Sequence, residues 1–61
     1  MASAATVFRL TWRVGRAVRV NSNGRKGSIR AVIGTGSRAT IIVAVTGGTP
    51  TSFRPSQLTP L

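Results

Sequence analysis

Apolar and polar residues alternate along most of this chain. After Thr6, the residues Phe8, Leu10, Trp12 and Val14 fall on one side and Arg9, Thr11 and Arg13 on the other. A period of two over that length predicts an extended strand with one face against an apolar surface. Residues 1–5 are small and read as a tail, and Gly15 ends the run. Residues 17–20 make a short strand with Val18 and Val20 inward and Arg19 outward. Asn21-Ser22-Asn23-Gly24 is a dense turn signal, because Asn and Gly tolerate positive φ, and it places Arg25-Lys26-Gly27 at a loop tip. Residues 28–33 form the next strand, with Ile29, Ala31 and Ile33 on one face and Ser28, Arg30 and Val32 on the other. Gly34-Thr35-Gly36-Ser37 connects it to residues 40–46. That run is β-branched nearly throughout and apolar on both faces, so it belongs in the middle of a sheet. Arg38 beside it is placed as a charged guard against aggregation. Gly47-Gly48-Thr49-Pro50 turns the chain into a short strand carrying Phe53, and Pro55-Ser56-Gln57-Leu58 is a tight turn that returns Leu58 to the core.

Short strands at regular spacing, joined by glycine-rich turns and without helical periodicity, predict an all-β fold, a small five-stranded barrel. Residues 1–14 form an extended N-terminal arm or strand, and residues 15–61 form the barrel. Its core would be Val18, Val20, Ile29, Ile33, Ile41, Val43, Val45, Phe53 and Leu58, and closure would remove most strand edges. There is no internal repeat, and 61 residues leave room for one domain. A chain of this size buries only about 60% of its unfolded surface, so its core is marginal.

The composition narrows the chemistry sharply. There is no Cys, His, Asp, Glu or Tyr. Zinc sites need Cys or His and hard-cation sites need carboxylates, so no metal or other cofactor is expected. Lys26 is the one ordinary acid–base candidate, and it has no carboxylate partner, so no enzyme and no small-molecule substrate are expected. The formal charge is +9, with arginine supplying every cation except Lys26. Guanidinium forks match phosphate oxygens and stack on bases. With no acid in the chain they cannot be paired internally, so a polyanionic partner is expected. The alternative is a solvated surface whose charge only confers solubility. The longest apolar run, Ile41-Ile42-Val43-Ala44-Val45, is far short of the ~20 residues that span a bilayer, so no membrane partner is expected. The Ala-, Ser-, Thr- and Arg-rich start also fits a transit segment, in which a helix would align Arg9, Arg13 and Arg16. Thr6, Val7, Thr11, Trp12, Val14 and Gly15 are indifferent or poor helix formers and argue against that helix.

Gly15-Arg16-Ala17-Val18-Arg19-Val20, the loop Asn23-Gly24-Arg25-Lys26-Gly27, then Ile29 and Val32 carry a family pattern. With the ending Phe53-Arg54-Pro55-Ser56-Gln57-Leu58, they resemble an SH3-like barrel of the KOW type, found in ribosomal and transcription-elongation proteins. The likeness spans residues 15–61. It departs from the family at Arg30, where a glycine is usual, and in lacking an acid at the start of the first strand. The resemblance implies a small SH3-like barrel, a class that binds RNA, DNA, peptides and other proteins. Trp12-Arg13-Val14-Gly15-Arg16 is also similar to part of the DNA-binding surface of small archaeal chromatin proteins, although those are lysine-rich and carry many acids.

The candidate nucleic-acid-binding residues are Trp12, Arg13, Arg16, Arg19, Arg25, Lys26 and Arg30. Arginines can follow a phosphate backbone while an aromatic ring stacks on a base, worth ~1–3 kcal/mol per base. Trp12 has a competing role in the core, since it shares a face with Phe8, Leu10 and Val14. Gly24-Arg25-Lys26-Gly27 reads either as a phosphate cradle of backbone N–H groups or as an ordinary hairpin turn. It lacks the strand–loop–helix context of a P-loop. The expected function is therefore sequence-independent binding of DNA or RNA through phosphates. The alternative is a small structural subunit of a large assembly, such as a capsid or cement protein, whose arginines pair with acidic neighbouring subunits. Either role places the chain inside a cell (cytoplasm, nucleoid or ribosome) or a virion, and not among secreted proteins.

Overall fold

A computed structural model describes residues 4–61, with side chains from residue 7 onward. An α-helix, α1 (Ala4–Thr11), is followed by strands β1 (Ala17–Val20), β2 (Lys26–Ile33), β3 (Thr40–Val45), β4 (Thr51–Phe53) and β5 (Leu58–Pro60). Short 3-10 turns occupy Gly36–Arg38, before β3, and Pro55–Gln57, between β4 and β5. The strands form one antiparallel sheet in the order β4-β3-β2-β1-β5. The sheet is not closed, so the expected barrel closure is corrected: β4 and β5 remain as edges. Both are only three residues long, and short edges limit pairing with other chains.

Val18, Val20, Ile29, Ile41, Val43 and Leu58 make the buried core. Trp12, Val32, Val45 and Phe53 pack against it, and Ala39 is also buried. Each fully buried Val, Ile or Leu contributes about 1.5–3 kcal/mol. β3 lies between β2 and β4, as its two-sided apolar pattern requires. The turn at Pro55–Gln57 has Pro at its start, and the Gln57 Oε1 accepts from the Arg54 N–H at 2.8 Å. The chain then delivers Leu58 to the core.

Beyond closure, the sequence expectation fails at two places. The extended arm is instead helical over Ala4–Thr11. Of the tail expected at residues 1–5, Ala4 and Ala5 open that helix and the rest lies outside the described residues. Phe8 and Trp12 fit a spacing of four as well as a spacing of two, and short apolar runs do not separate the periods. Ala, Leu and Arg within the segment favour helix. The Trp12 N–H donates to the Phe8 carbonyl at 2.8 Å, and their rings lie 6.5 Å apart. Leu10 and Val14 are exposed, so the supposed single face is divided.

The second failure is at Ile33, which was expected in the core and is 63% exposed. The β2–β3 register shifts between Ile29 and Ala31: Ile29 opposes Val43, but Ala31 opposes Ile42. Arg30 is the extra residue of a β-bulge, and one extra residue reverses the faces of everything after it. Val32, opposite Ile41, therefore packs on the core in place of Ile33. No non-glycine described residue has positive φ, so the bulge accepts arginine at this position. Among the described residues no helix is long and apolar enough to cross a membrane.

Candidate nucleic-acid interface

Alternation along β1 buries Val18 and Val20 and turns Ala17 and Arg19 to the outer face of the sheet. The register sets Arg19 directly opposite Lys26 on β2 and Thr59 on β5. Directly opposed residues in antiparallel strands share a face, with Cβ atoms about 4.5–5.5 Å apart. Arg19 and Lys26 are both exposed, and the chain has no acid to place between them. Like charges in this relation destabilise a sheet unless an anion bridges them. Beside them, Ala17 opposes Ser28 and Ser28 opposes Ala44. These small side chains leave room for a ligand backbone to approach the sheet. Arg25 adjoins Lys26 in the β1–β2 connection, where its N–H donates to the Asn23 Oδ1 at 2.9 Å and its carbonyl accepts from Val20 N–H at 2.8 Å.

The remaining candidates divide into a second exposed group and two half-buried residues. Arg30 sits on β2 about 13 Å from Lys26, at a rise of ~3.3 Å per residue. Its neighbour Ile29 accepts from Gly15 N–H at 2.8 Å and donates to the Arg16 carbonyl at 3.0 Å. The Arg16 N–H donates in turn to the Arg13 carbonyl at 3.1 Å. Arg13 and Arg30 are thus both exposed near one bulged corner of the sheet. Arg16 faces inward: it is half-buried, its Nη2 donates to the Leu61 carbonyl at 3.4 Å, and its Nε is buried without a partner among the described residues. Trp12 is half-buried against the core and Phe8. Of the two roles read for it in the sequence, packing on the core and stacking on a base between arginines, its position is that of the first.

Of the two readings of Gly24 to Gly27, a phosphate cradle and an ordinary hairpin turn, the backbone geometry favours the turn. Lys26 and Gly27 belong to β2, not to a loop tip. The Gly24 N–H donates to the Val20 carbonyl at 2.8 Å, and Arg25 N–H is held by Asn23. Gly27 lies between Val18 and Val45 in the ladder. These amides are engaged inside the protein, so the cations here act through their side chains.

Sequence reasoning passed over Arg54. Its Nη1 reaches the carbonyl oxygens of Arg38 and Ala39 and the Thr40 hydroxyl, the last two at 3.5 Å. Arg54 thereby ties the start of the second 3-10 turn to the end of the first. That contact spans sixteen residues, and local spacing carries no signal for it. No protein-family model, curated protein or solved structure matches the chain.

Proposed function

We propose that this chain is a non-catalytic, sequence-independent nucleic-acid-binding module that contacts phosphates through its arginines and Lys26. The observation that carries this reading is the exposed, unrelieved pairing of Arg19 with Lys26 on the outer face of the sheet. A phosphate between two such cations replaces repulsion with two charge-assisted hydrogen bonds. Arg25 extends the patch, and Arg13 and Arg30 supply a second pair of contacts at the bulged corner. Contacts of this kind fix a nucleic-acid backbone without reading its sequence. An SH3-like architecture of the KOW type accompanies this reading. It is supported by the strand order β4-β3-β2-β1-β5 and by the 3-10 turn leading into the last strand.

The test is binding of duplex DNA, single-stranded DNA and RNA to the protein and to its Arg19→Ser/Lys26→Ser double variant. Both residues are exposed, so the variant keeps its fold. Affinity should fall tenfold or more for each nucleic acid, and the slope of log K against log salt should shrink by about two. Unchanged affinity overturns the assignment of this patch.

A second reading, a small structural subunit of an assembly, draws on the exposed apolar residues Val7, Leu10 and Val14 near the N-terminus. In that case the arginines pair with acidic protein. Polyglutamate would then compete with nucleic acid on equal terms at equal charge.

A further inference from the structure

At the β4 edge of the sheet, where β3 and β4 meet the second 3-10 turn, an open pocket of ≈ 180 Å³ is lined by Thr40, Ser52, Phe53, Arg54 and Gln57. The hydrogen bonds around it use up acceptors and leave donors. Gln57 Oε1 accepts from the Arg54 N–H at 2.8 Å, which orients the amide and leaves its NH₂ group without a partner among the described residues. Thr40 Oγ1 accepts from Arg54 Nη1 at 3.5 Å, so its own proton remains to be donated. Arg54 engages carbonyls only through Nη1, and its Nε and Nη2 have no partner among the described residues. The Ser52 hydroxyl likewise has none. Two hydroxyls, an amide and a guanidinium, each with a donor unspent, therefore line one space. The exposed Arg38 follows Gly36 and Ser37 in the adjoining turn, whose end Arg54 holds.

We propose that this pocket is an oxyanion site that takes a single phosphate group, separate from the Arg19–Lys26 patch. A phosphate offers acceptor oxygens in several directions and no obligatory donor, which complements this donor set. It occupies roughly the space of three waters, ~90 Å³ at ~30 Å³ each, and so fits the opening. No carboxylate side chain exists in the chain to fill the site from within. The phosphate can come from free inorganic phosphate or from the end of a nucleic-acid strand. The two sources share one chemistry and are separated by experiment.

The site does not depend on the nucleic-acid reading, and its test is independent of it. Backbone amide chemical shifts are followed by NMR during titration with inorganic phosphate, with a 5′-phosphorylated dinucleotide and with the same dinucleotide lacking the 5′-phosphate. Phosphate and the phosphorylated dinucleotide should produce saturable shifts centred on Thr40, Ser52, Arg54 and Gln57. The unphosphorylated dinucleotide should bind there at least fivefold more weakly than the phosphorylated one. A preference for the dinucleotide over phosphate identifies a strand end as the source, and equal affinity identifies free phosphate. Gln57→Glu keeps the oxygen that accepts from Arg54 but replaces the outward NH₂ with a carboxylate beside the guanidinium. It should preserve the fold and weaken phosphate binding tenfold or more, while leaving duplex binding at Arg19 and Lys26 within about twofold. Ser52→Ala, exposed and without a structural bond, should weaken it about threefold. Shifts spread evenly over every cationic residue, or a Gln57→Glu variant that binds phosphate as before, would overturn the proposal.

Discussion

Gly27 stands where a Cβ would come 2.6 Å from the Ala44 carbonyl oxygen and 2.9 Å from Val43 Cγ1. The first of these is backbone in the interior strand β3 and cannot swing aside. Gly27→Ala should therefore cost at least about 1–3 kcal/mol, the range of an overpacked core, as read by urea denaturation. Its neighbour Lys26 makes a different demand. Lys26→Glu converts the like-charged pair with Arg19 into an opposite-charged one, worth up to about 1 kcal/mol across strands. The isolated variant should melt a few degrees higher at low salt and bind nucleic acid tenfold or more weakly. A lower melting temperature would mean that Arg19 and Lys26 do not repel. At Trp12, which packs on the core and on Phe8, alanine should cost about 2–4 kcal/mol, somewhat below a fully buried aromatic. A variant that keeps its stability but loses affinity for single strands would restore Trp12 as a stacking platform.

Within β2, two isoleucines of the same strand carry opposite expectations. Ile29→Ala removes a buried side chain and should cost about 2–5 kcal/mol, whereas Ile33→Ala, on an exposed position, should stay within about 0.5 kcal/mol. Plain alternation from Ile29 would make the two costs equal, so paired denaturation curves test the bulge at Arg30 directly. Much of the sheet was legible from alternation and turn chemistry: the strands containing Val18, Ile41 and Phe53, the turn at Asn21–Gly24 and the return of Leu58 all follow from local pattern. The bulge was not, because an inserted residue leaves no mark when its neighbours, here Ala31, Val32 and Ile33, are apolar in either register. The helix over Ala4–Thr11 was hidden by the same kind of ambiguity, since Phe8 and Trp12 satisfy both periods. Of the candidate interface, the sequence supplies the cations as a chemical set. Their division into the Arg19–Lys26 patch, the Arg13–Arg30 corner and the inward Arg16 depended on cross-strand register, which a single sequence does not encode locally.

At the scale of the whole molecule, a charge of +9 with no opposing acid dominates. The sequence contains none of the side chains that ordinarily titrate between about pH 4 and pH 8. Acid unfolding through protonation of native carboxylates is therefore closed to it. Affinity for a phosphate backbone should be level from pH 5 to pH 7, and thermal stability at fixed salt should change little on acidification over that interval. The most direct test of the nucleic-acid proposal is the salt dependence of duplex DNA binding. Four to six phosphate contacts from Arg13, Arg19, Arg25, Lys26 and Arg30, with one more from Arg38 or Arg9, give a slope of log K against log salt of about −4 to −5. A slope in that range, shared by unrelated sequences, is the predicted result. A flat salt response, or no binding at low salt, would contradict the account.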